Sequence, residues 1–167
     1  MSTGRGKDRR AAQKQKRKNE QMRIITAPAD AERAERLREV LDGLIEINRK
    51  VPVIVEGKRD SAALRSLGFE GEIINLHRGQ SLYDFSEEMT DRYDRIVLLL
   101  DWDEKGDQMT RALEEGLKGC FEEFRTFRDV IRILCQKDIK DIEAIPALLR
   151  RLEGIAGKSK SETGPQL

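Results

Sequence analysis

Histidine and cysteine are almost absent from this 167-residue chain: His77 stands alone, and the only cysteines are Cys120 and Cys135. Zinc sites of the Cys/His type need closely spaced ligand pairs, and these two cysteines form no CxxC. A disulfide framework is not expected from two cysteines, and the expected compartment is a reducing cytoplasm. A Ser-His-Asp or Cys-His mechanism would rest on His77 alone. No run approaches the roughly 18 apolar residues that a membrane span needs. The basic N-terminus lacks the apolar stretch of a secretory signal. The expectation is a soluble cytoplasmic protein with no membrane partner.

Charge is plentiful, at 38% of residues, and unevenly placed. Residues 1–18 hold eight Lys and Arg against Asp8, a net +7, while the whole chain carries +1, which leaves −6 on the remainder. An acidic body thus carries a basic arm. Rich in Lys, Arg, Gln and Gly, residues 1–28 cannot bury a core and are expected to be disordered when free. Cationic tails bind phosphate backbones through counterion release, so the arm suggests nucleic acid; a solubilising tail is the plainer alternative.

Beyond Pro28 the apolar spacing alternates between two periods. Ala34, Leu37, Leu41, Leu44 and Ile45 recur at three and four, which predicts a helix over Asp30–Arg49 with Asp30 as cap. Val51–Val55 is a short, continuously apolar run, as in a strand covered on both faces. A helix over Asp60–Leu67 stops at Gly68. A strand over Glu72–Leu76, a helix over Ser81–Thr90, a strand over Arg95–Leu100 and a helix over Asp107–Lys118 follow. Cys120–Phe124 reads as a fourth strand. Helices near Arg128–Cys135 and Ile142–Leu152 precede a frayed tail from Gly154. Alternating strands and helices predict an α/β domain over residues 29–152, with a short, mostly parallel sheet flanked by helices.

Ligands of such sheets sit outside the carboxyl ends of the strands. Glu56-Gly57-Lys58-Arg59-Asp60 follows the first strand directly, and Asp101-Trp102-Asp103-Glu104-Lys105-Gly106 follows the third. A parallel sheet brings both segments to one rim, where Glu56, Asp101 and Asp103 would converge. Crowded carboxylates repel, and a hard divalent cation relieves the repulsion. Mg²⁺ suits a site with few carboxylates plus substrate phosphates. An EF-hand is excluded, because Lys105 stands at its fifth position and Ala112 at its twelfth. The competing explanation of these acids is the capping of helices and loops.

Val53-Ile54-Val55-Glu56-Gly57-Lys58-Arg59-Asp60 resembles the first motif of the Toprim domain, and Leu98-Leu99-Leu100-Asp101-Trp102-Asp103-Glu104-Lys105-Gly106 resembles its second. Toprim modules serve topoisomerases, DnaG-type primases and several nucleases. The likeness is strongest to small single-domain Toprim proteins of archaeal type, themselves similar to the bacterial nuclease that matures the smallest ribosomal RNA. The resemblance implies a Rossmann-like Toprim fold. It implies Glu56 as metal ligand and general acid/base, with Asp101 and Asp103 holding one or two Mg²⁺, for which Mn²⁺ would substitute. Lys105 stands where type I topoisomerases carry a third aspartate, which disfavours that activity.

Several cations stand near the same rim. Lys58 and Arg59 open a helix beside Glu56, a natural place for phosphate, and Lys58 is the stronger candidate. Arg78 follows the second strand and would clamp a phosphate, with Lys105 and Arg111 as further nucleic-acid contacts. Trp102 is expected to pack against the sheet edge, with base stacking as the alternative. Asp138, Asp141 and Glu143 read as helix caps. The expected function is Mg²⁺-dependent phosphodiester chemistry on nucleic acid, RNA hydrolysis above all. A non-catalytic nucleic-acid or ribosome-associated module and a minimal primase-like nucleotidyl transferase are the alternatives.

Overall fold

The computed structural model describes residues 5–76 and 79–161, with backbone alone for residues 5–7, 19–28 and 155–161. Two compact units are distinguished, one of residues 36–151 and one of residues 1–35 with 152–167. Helices α1 (Arg5–Asn48) and α6 (Ile145–Ser161) each run through both. Between them come β1 (Val53–Val55), α2 (Lys58–Leu67), β2 (Ile73–Asn75), α3 (Leu82–Arg92), β3 (Val97–Leu98), α4 (Glu104–Gly116), a 3-10 turn (Glu122–Phe124) and α5 (Arg125–Cys135).

The sheet has the order β2-β1-β3 with both pairings parallel, so this is an α/β fold. Val53 pairs with Ile73 on one side and with Val97 on the other. The ladder runs on past the assigned strands through Leu76 N–H to Val55 O and Leu99 N–H to Ile54 O. All three carboxyl ends therefore open on one rim. Alternate residues face opposite sides. Ile54, Leu98 and Leu100 pack with Phe85 and Met89 of α3 and Leu113 of α4. Val53, Val55, Val97 and Leu99 point the other way and are also fully buried. Leu37, Leu41 and Leu44 of α1, Leu64 of α2 and Ile131 of α5 are likewise fully buried. A sheet buried on both sides is why β1 and β3 read as unbroken apolar runs.

Two helix boundaries are set by residues visible in the sequence. Gly68 ends α2 in the left-handed conformation (φ +107), with Phe69 N–H returning to Leu64 O. Ser81 caps α3 by accepting from Asp84 N–H at 3.0 Å.

Elsewhere the structure departs from expectation. Cys120–Phe124 is not a strand. Ile96 N–H reaches Cys120 O, but no ladder follows, and the Glu122 carboxylate turns back to accept from Gly119 N–H. Phe121 and Phe124 are both buried at a spacing of three, the 3-10 period. The arm expected to be disordered carries α1 from Arg5 onward. Its Ala, Gln, Lys and Arg are strong helix formers, so a composition too polar for a core is still suited to a helix. Side chains 8–18 are all exposed. The tail expected to fray from Gly154 continues α6 to Ser161. No described helix is long and apolar enough to cross a membrane.

Candidate functional site

The rim holds a cleft of about 1160 Å³ within the larger unit. Glu56 to Asp60 supply one wall, Asn75, Leu76, Gln80 and Leu82 another, and Asp101, Lys105 and Met109 a third. Asp141 and Glu143, from the loop between α5 and α6, complete it.

Glu56 follows directly on β1. Its Oε1 is buried and, among the described residues, has no hydrogen-bond partner. Burial, then the charges of Asp103 and Asp60, raise its pKa above the ordinary carboxylate value; the Asp101 backbone N–H and the Lys105 charge pull it back. Asp101 stands where the chain leaves β3. Its Oδ1 accepts from Ile142 N–H at 2.9 Å. Burial, followed by the charges of Asp60, Glu56 and Asp141, pushes its pKa to about 7. Buried Asp60 accepts from Gly57 N–H at 3.2 Å, closing the start of α2. Burial raises its pKa first, and the charges of Glu143 and Asp141 add to that.

Asp103 behaves otherwise. It is exposed and caps α4, its Oδ1 accepting from Gly106 N–H at 2.6 Å. The expected extended D-x-D segment is therefore extended only to Asp103, and α4 starts at Glu104 instead of Asp107. Among the described residues no three carboxylates are gathered as a metal-ligating group. Glu56 and Asp101 share the cleft, while Asp103 reaches Glu56 through its charge. A buried carboxylate oxygen without a donor, among acids whose protons are held tightly, is a donor set that fits a hard divalent cation. Glu56 and Asp101 would hold it, with Asp103 as the adjoining ligand.

Of the expected phosphate contacts, Lys58 and Lys105 line the cleft. Arg59 lines it too and approaches Glu143 at 3.9 Å, an exposed pair that contributes little to stability. Arg111 does not line it. Lys105 and Met109 lie one turn apart on the cleft face of α4, and Arg111, two residues further on, projects about 200° round the helix into solvent. Arg78 lies outside the described residues, as does His77. Trp102 packs rather than stacks in the open: it is 7% exposed, and its Nε1–H donates to Ile139 O at 2.8 Å.

Sequence reasoning missed two walls of the cleft. Asp141 does cap, accepting from Ala144 N–H at 2.9 Å, yet its charge also bears on Asp60 and Asp101. Asn75 ends β2 in the cleft, where Ser61 of α2 donates to its Oδ1. Asp138 belongs elsewhere, paired with Arg151 at 2.7 Å.

No family model matches the chain. Among curated proteins, the UPF0292 protein of Methanosarcina barkeri is 38% identical over 126 residues, covering 72% of this chain and 85% of its own length. That of Methanosarcina acetivorans is 35% identical over 130 residues, covering 76% and 89%. That of Pyrococcus horikoshii is 36% identical over 123 residues, covering 72% and 89%. A solved structure described as a putative protein from Aquifex aeolicus is 28% identical, with a TM-score of 0.49 over 63% of this chain and 94% of that one. The aligned length and identity of the three curated relatives show that the chain belongs to the UPF0292 family.

Proposed function

We propose that this chain is a Toprim-type phosphodiesterase that hydrolyses nucleic acid, RNA in preference to DNA, with Mg²⁺ as cofactor. The Glu56 carboxylate carries the reading. It stands at the carboxyl end of the central strand, its buried oxygen lacks a donor among the described residues, and the cleft around it mixes acids with the cations Lys58, Arg59 and Lys105. Mg²⁺, or Mn²⁺ in its place, would be held by Glu56, Asp101 and Asp103 and would supply charge neutralisation at the scissile phosphate.

The chain's own residues do the rest. With its pKa raised by burial, Glu56 is the group suited to take a proton from attacking water. Lys58 at the N-terminus of α2 and Lys105 in the first turn of α4 bind phosphate oxygens, aided by the two helix dipoles. The cations among the exposed residues 8–18 add sequence-independent affinity for the backbone, and a reducing cytoplasm is the compartment that suits the reaction.

Single-turnover cleavage of a structured RNA and a single-stranded DNA by wild type and Glu56→Gln, in Mg²⁺, tests the reading. The substitution keeps the shape and removes the proton acceptor. Turnover should fall by at least about 10²–10⁴, the usual contribution of a general base, while RNA binding stays within a few fold. Wild-type rates in Glu56→Gln refute the role of Glu56. Binding without cleavage by wild type makes the chain a binding module. Products longer than the substrate when nucleoside triphosphates are added make it a nucleotidyl transferase.

A further inference from the structure

The segment that bears Asp101 leaves the sheet without a ladder to hold it. Its backbone is held by Trp102 N–H on Lys140 O at 3.1 Å and by a side chain from α5. Arg128 is 7% exposed, and its Nε–H donates to Leu100 O at 2.9 Å. Its Nη2 donates to Asp101 O at 2.6 Å and to Asp107 Oδ1, on the first turn of α4, at 2.7 Å. One planar group thus ties the strand end, the aspartate and the following helix together.

Burying a guanidinium costs desolvation that only good geometry offsets. Here the geometry is short and forked, and it bears on the Asp101 peptide from one side. Gly106 bears on it from another: a Cβ there would run into the Asp101 carbonyl oxygen. The Asp101 side chain is fixed separately by Ile142 N–H. With the carbonyl wedged and one carboxylate oxygen bonded, the direction of the remaining oxygen follows.

We propose that Arg128 is a positioning residue of this site: its three bonds set the orientation of the Asp101 carboxylate toward the cleft. The inference rests on the cleft reading given above, but the clamp itself has a readout that does not. Trp102 is the only tryptophan of the chain, adjoins Asp101 and is buried. Its fluorescence reports the freedom of this segment without any metal or substrate.

Arg128→Lys is the discriminating variant. It keeps the charge but loses the fork, since one ammonium cannot reproduce the two parallel N–H directions. Asp107→Asn is the second variant. It leaves both carbonyl bonds and removes the anchoring charge, so its effects should run the same way and be smaller. Acrylamide quenching of Trp102, calorimetric titration with Mn²⁺ and steady-state cleavage are measured on all three full-length proteins, with far-ultraviolet circular dichroism as the check on folding.

In Arg128→Lys quenching should rise, Mn²⁺ should bind about 10–100-fold more weakly, and kcat should fall by a similar factor with KM within about twofold. Unchanged quenching and Mn²⁺ affinity in a folded Arg128→Lys protein overturn the proposal. A fall in kcat with quenching and Mn²⁺ affinity both unchanged also overturns it, because the effect then does not run through the Asp101 segment. If wild type neither binds Mn²⁺ nor cleaves, yet quenching rises in the variant, the clamp stands and the metal reading falls.

Discussion

Asp101→Asn should make the metal-free protein more stable, by a margin that opens between about pH 4 and about pH 7 and is constant above it. The carboxyl has an ordinary value of 3.8 and sits near 7 in the folded chain, chiefly through burial. The folded state therefore holds the proton where the unfolded state has released it. Stability from this group is complete below about pH 4 and is lost as pH rises through about 7, the reverse of a salt-bridged aspartate. Taken whole, the gap is worth about 4 kcal/mol at about 1.4 kcal/mol per tenfold. The carboxyl faces an open cleft, so solvent screening reduces this to ~2 kcal/mol. Asparagine keeps an oxygen for Ile142 N–H, so the hydrogen bond is retained and only the charge is removed. Urea unfolding in EDTA from pH 4 to 8 should show the two proteins nearly equal at pH 4 and diverging steadily up to about pH 7. At pH 8 the variant should be ahead by ~2 kcal/mol, or ~4–8 °C in Tm. Saturating Mn²⁺ should stabilise wild type alone and narrow the difference. A variant less stable than wild type at pH 8, or a gain independent of pH, would refute the assigned burial and repulsion.

Two further outcomes follow from particular contacts. A chain lacking residues 1–18 should keep its Tm within ~1 °C, because residues 8–18 bury nothing. It should lose sequence-independent RNA affinity, with a salt dependence flatter by roughly 0.7 for each single-strand phosphate contact removed; equal slopes by filter binding leave the arm only a solubilising role. Gly106→Ala should cost about 1–3 kcal/mol in urea unfolding and raise Trp102 quenching, since its Cβ meets the Asp101 carbonyl that Arg128 holds. Wild-type stability would show that the loop relaxes without strain.

The central strands were legible because burial on both faces leaves an unambiguous mark. Val53–Val55 and Val97–Leu100 have no polar position, and all are buried. Glu56 and Asp101 were legible as rim residues for the same reason, since parallel strands fix where the chain emerges. Asp103 was not, because an aspartate after a strand serves equally as ligand or as helix cap, and the difference lies in where the helix begins. In the arm, low hydrophobicity excludes a core without excluding a helix. Cys120–Phe124 misled because five residues cannot distinguish a period of two from a period of three.

The far wall of the cleft was illegible for a deeper reason. Ile142 lies 41 residues from Asp101 and Arg128 lies 27 residues away, and no local rule joins positions so separated. Arg128 nonetheless left a trace. Within α5 it is in phase with Ile131 and Cys135, three and seven residues on, both fully buried. The neighbouring Arg125 is exposed, and Arg132, one turn on, is half-buried at the edge of that stripe. An arginine on the apolar stripe of a short helix must either turn out to solvent or find several acceptors inside. Strand ends are where a parallel sheet leaves carbonyls without ladder partners, and those of Leu100 and Asp101 are what this arginine found. A cation in the apolar phase of one helix and an aspartate after a buried strand are thus two ends of one constraint. Reading them together predicts that the loop bearing the aspartate is held as rigidly as the sheet itself.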